Sequence, residues 1–456
     1  MIIIFKSCQA SSGLALQSKG VKMLKKVSRL SLVSVVTLGV MASASLVSTA
    51  ANAANPVPVV TAADTAVITK IFGAGGKAAG QGLTIPIGTL LALTGAGAQV
   101  GTDMLKGQLL AAAQIKAAGG PDFQILAADH QNGTPSAGVS EAQRLITQNK
   151  IPVMLSSYGG VTAAIAPLIA DNKVLTFNGG GPDVTQANKP YLWLPANYYA
   201  DVSAPGNLAY LKLTNPKAKR LLIIGSMENG VNAMKNLVPK YWKRMGGKVV
   251  GTEINTVGQT DYTQMIARIR VAKPDVIWTS TFGDDVGYLM KALVQGGIKA
   301  PVVGQELAQN ACKIAGKAFD NYQFSGSFFD SNLPINPWAT LLAKSYKASY
   351  NENAEYYGAT YYEDVFLVWD LVKRVIAAGG NPANGAELQA ALVKSPTFKT
   401  VLGGTTKSVA TMSLNVKDHS GARPMGIYKV TNCTATRVAV INAIKLGQSP
   451  TATLEK

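Results

Sequence analysis

Residues 156–183 read SSYGGVTAAIAPLIADNKVLTFNGGGPD. The order is a strand end, a glycine pair, a short helix, the apolar run 174–177 and a second glycine cluster. Both glycine turns lie at the carboxyl side of a strand, the edge of an open parallel sheet where small ligands bind. Gly159 and Gly160 open a helix whose first N–H groups lack an internal partner and can receive an anionic or polar group. Gly179, Gly180 and Gly181 let another backbone approach with no Cβ in the way. Either turn alone also suits a tight connection between strand and helix. The pair at one edge points to one wall of a ligand cleft.

Outward from this stretch the same alternation repeats. Apolar strands are expected at 83–93, 123–128, 151–155 and 174–177. Helices are expected from an Asp103 cap to Ala117, over 136–149 and over 162–170, with Pro167 shortening or kinking the last. After an aromatic, Pro-bearing pause at 191–205, a second series begins at 220–225 and runs to a strand at 301–303. Alternating strands and helices predict an α/β protein with parallel sheets covered by helices on both faces. Two such series in 456 residues predict two lobes with a cleft between them. Long helices at 336–350 and 357–378, a shorter one at 387–393 and strands at 411–415 and 425–429 complete the chain. This tail packs back onto the lobes, so the chain crosses between them more than once.

The amino terminus is expected to be a targeting leader. Lys22, Lys25, Lys26 and Arg29 precede the apolar, small-residue run 30–47, which ends at Ala51-Asn52-Ala53, the pattern of a cleavable signal peptide. Met23 offers an alternative start. Residues 1–53 carry six basic residues and no acid, so cleavage lowers the formal charge from +18 to +12. The basic residues are dispersed rather than clustered with aromatics, which argues against nucleic acid as a partner. Residues 54–80 read as a flexible lead-in with a short helix near 63–71. Cys8 belongs to the leader; Cys312 and Cys433 remain, either paired or free. Two distant histidines, His130 and His419, and no Cys/His spacing leave no basis for a metal site or a cofactor.

Four stretches carry a family resemblance: IPIGTLLALTGAGAQVGTDMLKGQLLAAAQIKAAGG, SEAQRLITQNKIPVMLSSYGGVTAAIAPLIADNKVLTFNGGG, GQTDYTQMIARIRVAKPDVIW and YGATYYEDVFLVWDLVKRVIAAGG. In this order and spacing the chain resembles the extracytoplasmic solute-binding proteins of ABC transporters, in the leucine/isoleucine/valine-binding branch of the type I periplasmic binding proteins. The resemblance implies two Rossmann-like lobes joined by three crossover strands. One lobe is then formed by 81–197 plus 328–413, the other by 198–327 plus 414–456. That mapping puts Cys312 and Cys433 in one lobe, which favours their pairing.

The resemblance also implies a ligand set. Gly159 stands where amino-acid-binding members have a Ser hydroxyl, Gly180 at a backbone-carbonyl position, and Pro182 where they have a Thr hydroxyl. The backbone donors of Gly159, Gly160 and Thr162 remain, with the Thr162 hydroxyl, Gly181, and Thr94 on the rim. Tyr158 supplies an aromatic wall or ordinary packing. Asp284 or Asp285 pairs a ligand ammonium, or one of them caps its helix. Asn229, Tyr198, Tyr199, Tyr262 and Glu306 are further candidates. The expected function is capture of a small polar solute (an amino acid, amide or small carboxylate) in the periplasm. Hinge closure and docking of a monomer on an inner-membrane permease would follow. A ligand sensor signalling to a membrane receptor is the alternative. An enzyme lacks a nucleophile–base pair.

Overall fold

The computed structural model describes residues 57–180, 186–195, 200–226, 231, 233–305, 309–327, 329–421, 425–441 and 451–455. The leader lies outside them. The first series comprises α1 (Ala62–Phe72), β1 (Thr84–Leu91), α2 (Ala98–Ala117), β2 (Asp122–Asp129), α3 (Pro135–Thr147), β3 (Val153–Ser157), α4 (Gly159–Asp171), β4 (Leu175–Gly180) and β5 (Leu192–Trp193). Its five strands form a parallel sheet in the order β2-β1-β3-β4-β5. The order reverses between β1 and β3, so the turns after these two strands flank the crevice where an open sheet takes a ligand.

The second series comprises α5 (Ala200–Thr214), β6 (Arg220–Ser226), α6 (Val238–Arg244), β7 (Lys248–Asn255), α7 (Thr263–Ala272), β8 (Val276–Thr279), α8 (Asp284–Gln295), β9 (Val302–Gly304), α9 (Gln309–Ala315) and β10 (Tyr322–Ser327). The chain then supplies α10 (Pro337–Tyr350), α11 (Tyr356–Ala377), α12 (Gly385–Lys394) and the hairpin β11 (Thr397–Thr405) with β12 (Ser408–Ser413). It ends with β13 (Met425–Thr431), β14 (Thr434–Ile441) and β15 (Ala452–Leu454). The second sheet has eight strands in the order β15-β14-β13-β10-β9-β8-β6-β7. It is mixed rather than parallel throughout. β6 to β10 are parallel, as βα units require, whereas β13 to β15 return as consecutive hairpins and pair antiparallel.

The chain passes between the lobes after β5, after β10 and after β12. The first and third passes pair at Leu194 and Ser420. There the His419 ring stacks on Trp193 with centroids 4.1 Å apart, and its Nδ1–H faces the carbonyls of Lys189 and Leu192.

α11 is the spine of the first lobe. Most of its side chains are buried, from Tyr356 through Val375. It crosses α2 closely enough that a Cβ on Gly107 would lie 2.1 Å from the carbonyl oxygen of Gly358. Buried hydroxyls and indoles on α11 bond to separate elements: Tyr361 to the Ser156 carbonyl, Tyr362 to Gln114 Oε1 and Trp369 to the Ala79 carbonyl. The segment expected to be a flexible lead-in is instead docked on this spine. Thr61 and Asp64 cap α1 reciprocally, each side chain bonding the other's backbone N–H. Phe72 packs among Trp338, Phe366 and Trp369 with centroids 4.8–5.8 Å apart. These rings bury large apolar areas, which is what holds the segment.

Cys312 on α9 and Cys433 at the turn between β13 and β14 form a disulfide within the second lobe. Asp103 does not cap α2. The helix begins at Ala98 after Gly97, leaving Asp103 inside it and buried. α4 runs through Pro167.

The α2–α11 crossing predicts that Gly107→Ala overpacks the interface and costs about 1–3 kcal/mol. Urea unfolding of wild type and variant measures this directly, and equal midpoints would contradict the close approach.

Candidate ligand-binding cleft

The turns that leave β1, β2 and β3 converge on one aromatic side chain. Tyr158 caps α4 with a left-handed backbone, φ 64°. That conformation is uncommon for a bulky residue and turns the chain sharply from strand into helix. Its N–H donates to the Gly180 carbonyl at 2.6 Å, tying the β3 turn to the end of β4. The ring rests against His130 at 4.7 Å, and a Cβ on Gly97 would meet its hydroxyl. Asn132 orders the neighbouring loops, its Oδ1 accepting the Gly97 N–H at 2.8 Å and facing the Tyr158 hydroxyl at 3.4 Å.

Two contacts join this wall to the second lobe. Tyr158 meets Phe282 edge-on at 5.3 Å. The Asp284 N–H points at the Ala96 carbonyl at 3.4 Å, and a Cβ on Gly283 would lie 2.6 Å from that same oxygen. Gly283 has φ 60°, so glycine serves here both the turn and the close approach. The starts of α4 and α8 thus belong to turns that meet across the cleft. Each start presents backbone N–H groups and the positive end of a helix dipole.

The expected residues divide into three groups. Tyr158, Gly159, Gly160 and Asp284 belong to the turns that come together. Gly160 is exposed, with open space where a Cβ would be. Asp284 is half-buried and accepts Asn310 Nδ2 at 2.7 Å. It is the first residue of α8, and Gly283 holds the cap position, so neither aspartate is the cap.

The second group is engaged by the protein itself: Thr94 is exposed, and the others are buried. The Thr162 hydroxyl is buried between Ser156 Oγ at 2.9 Å and the Ser157 carbonyl at 3.2 Å. Thr94 donates to Asp129 at 2.6 Å, within a loop where Asp129 also accepts the N–H groups of Leu93 and Gln131. Asp285 is buried and accepts the Gly258 N–H at 2.8 Å, which fixes the turn after β7. Tyr262 is buried beside it. Gly180 ends β4 instead of opening a turn. A Cβ there would strike Met104 at 2.6 Å and the Tyr361 hydroxyl at 3.0 Å, so this glycine admits α2 and α11. The third group, Gly181, Tyr198, Tyr199, Asn229 and Glu306, lies outside the described residues, as does Pro182.

Sequence reasoning passed over His130, Asn132, Phe282 and Asn310. The Asn132-Gly133 pair at the end of β2 was a readable turn signal; nothing local marked Phe282. His130 is fully buried. Its Nδ1 accepts the Gly133 N–H at 2.9 Å, so the other nitrogen carries the proton and donates to Ser157 Oγ at 3.0 Å. Burial lowers its pKa to about 4, against a smaller opposing pull from Asp129. Among the described residues, no group of three or more His, Cys, Asp or Glu side chains is placed to hold a metal ion. No helix among them is long and apolar enough to cross a membrane.

Comparison with known proteins adds the lineage. The family described as periplasmic binding protein matches residues 84–435. The Leu/Ile/Val-binding protein homolog 2 of Brucella abortus (strain 2308) is 24% identical over 337 residues, 70% of this chain and 85% of that protein. Among solved structures, the branched-chain amino acid transporter substrate-binding protein LivJ of Streptococcus pneumoniae, in complex with isoleucine, superposes with TM-score 0.67 at 21% identity. That match covers 79% of this chain and 99% of LivJ. A solute-binding protein of an ABC transporter from R. palustris, in complex with benzoate, gives TM-score 0.68 at 16% identity, over 82% and 98% of the two chains. At these identities the structural likeness shows the fold.

The buried neutral His130 gives the fold a pH signature. Between about pH 4 and 6.5 the unfolded chain binds this proton and the folded chain does not, so stability falls as pH drops through that window and is complete above it. The His130-dependent loss between pH 7 and pH 5 is about 2 kcal/mol. Urea unfolding at the two pH values, with His130→Gln as reference, is expected to show the steeper fall in wild type. Parallel pH dependence in both proteins would contradict it.

Proposed function

Because the chain belongs to the periplasmic binding protein family, we propose that it is the substrate-binding component of an ABC importer. In this reading it captures a small polar solute, an amino acid or a related amide or carboxylate, by hinge closure in the periplasm. It then docks as a monomer on an inner-membrane permease. The family is one of solute-binding proteins, so the work is capture and delivery without bond chemistry.

The observation that carries this reading is the meeting of opposed turns: Ala96 against Asp284, and Tyr158 against Phe282. The N–H groups of Gly159, Gly160 and Val161 begin α4 with no intrahelical acceptor and suit a carboxylate or carbonyl. The half-buried Asp284 suits an ammonium or amide N–H, with Asn310 holding its carboxylate in place. The ligand is then gripped mostly by backbone on one side and by one carboxylate on the other. With Gly159 at the first turn and Thr162 turned inward, the first lobe offers few side-chain hydroxyls there. That favours recognition of a planar carboxylate or amide over the standard set used for leucine.

A thermal-shift panel of amino acids, amides and small aliphatic or aromatic carboxylates on refolded, ligand-stripped protein tests the reading. A true ligand at 100 times its Kd adds about 2.7 kcal/mol of stability. Tyr158→Ala and Asp284→Asn are expected to reduce that shift. A panel in which no compound moves the melting temperature would count against solute capture of this class.

A further inference from the structure

The excess positive charge of the chain is not spread evenly. Residues 212–248 hold nine Lys or Arg and one acid, Glu228, which lies outside the described residues. Eight of the twelve excess charges of residues 54–456 therefore fall within these 37 residues.

The fold gathers them on one face of the second lobe. α6 and the wide turn 233–237 that leads into it expose Lys235, Lys240, Lys243 and Arg244. The loop before β6 exposes Lys217 and Lys219, and Lys248 is exposed at the start of β7. The Lys219 carbonyl fastens these pieces together, accepting the indole N–H of buried Trp242 at 2.9 Å and the Lys248 N–H at 2.7 Å. Lys212 is held back from the face, over the Trp242 ring at 5.7 Å and bonded to the Ala218 carbonyl.

None of the seven exposed cations joins an ion pair among the described residues. The acids nearby are already engaged. Asp275 accepts the N–H groups of Lys219 and Arg220 at 2.8 and 2.9 Å, and Glu253 on β7 pairs with Arg268. Lys243 and Arg244 end α6 and offset its dipole. Lys240 and Lys248 serve no helix end. A dense field of one sign repels itself unless an opposite charge is brought to it.

Six of the seven are lysines. Lysine is depleted from protein–protein interfaces, whereas clusters of exposed Lys and Arg read as contacts for anionic lipid. Half-buried Tyr241, with the Arg244 guanidinium over its ring at 5.5 Å, adds the amphipathic kind of aromatic found where membrane meets water. Lys219 and Lys248 stand at the amino ends of β6 and β7, whereas the cleft turns leave the carboxyl ends of strands. A bilayer against this end of the lobe leaves those turns uncovered.

We propose that this basic face is a docking surface for an anionic phospholipid bilayer, held by electrostatics with no inserted segment. The proposal does not depend on the solute or on the transport reading. Under that reading it keeps the protein against the membrane that holds the permease, so that their encounter becomes a search over a surface.

Cosedimentation of the exported protein with vesicles tests this at low ionic strength and with no solute present. One set of vesicles is equimolar phosphatidylglycerol and phosphatidylcholine, the other phosphatidylcholine alone. Saturable binding to the anionic vesicles only, lost in high salt, is expected. Lys240→Gln, Lys243→Gln and Arg244→Gln together should weaken it by about tenfold or more. Lys217→Gln, Lys219→Gln and Lys248→Gln together should also weaken it, and decide the matter if the first set fails to fold by circular dichroism. Lys344→Gln, Lys394→Gln and Lys407→Gln together remove the same charge from exposed positions of the first lobe and should bind as wild type does. No binding to anionic vesicles, equal binding to neutral ones, or equal weakening by the first-lobe set would overturn the proposal. So would undiminished binding in the folded face variants, which would leave the face to an acidic protein partner.

Discussion

The crossing of α11 over α2 is the constraint from which the first lobe takes its shape. Two glycines, Gly107 and Gly358, let the helix backbones touch, and no larger residue fits at Gly107 without moving one helix. Close approach brings Tyr361 within reach of the end of β3 and sets Met104 and Tyr361 against Gly180. The two turns that began as a ligand motif are therefore held from behind by a helix nearly two hundred residues later in the chain. Side chains that fix these strand ends are buried and bonded, so the backbone they present toward the cleft is set before a ligand arrives. Preorganisation of this kind lowers the entropy lost on binding.

Electrostatics divides the same region into fixed and available groups. Asp129 and Asp285 each spend a carboxylate on backbone N–H groups of their own lobe, and Thr94 and Thr162 spend their hydroxyls likewise. Asp284 is held by a single side-chain amide and remains half-buried, which leaves it available for the solute contact proposed above. His130 stays neutral beneath the Tyr158 ring, so the first-lobe wall carries no imidazolium at neutral pH.

The βα alternation was legible because each strand and helix announces itself within a few residues; the order of the strands within each sheet was not. The glycines of 156–183 were legible as special but not as to purpose. Whether a missing Cβ admits a ligand or a helix depends on a neighbour far away in sequence, and for Gly180 that neighbour is α11. The burial of Asp285 and Thr162 was hidden for the same reason. A polar side chain near a turn advertises capacity for a hydrogen bond, while its direction is set by packing. The docking of α1 was hidden because Ala- and Gly-rich sequence around one phenylalanine looks like linker until the aromatic pocket formed by Trp338, Phe366 and Trp369 is known. The antiparallel end of the second sheet was hidden too, since hairpin strands on a third pass leave no mark of which edge they will join.

The Cys312–Cys433 bond closes a ring of chain with a sequence separation of 121 residues. That ring includes β10, the whole excursion through α10, α11, α12 and the β11–β12 hairpin, and the return to β13. It thus encircles two of the three passes between the lobes. A single peptide-bond cut anywhere inside the ring leaves one covalent molecule, with the spine helix still tethered to the lobe it left. The bond therefore lets this detour of the chain be nicked without separating the molecule into two covalent pieces.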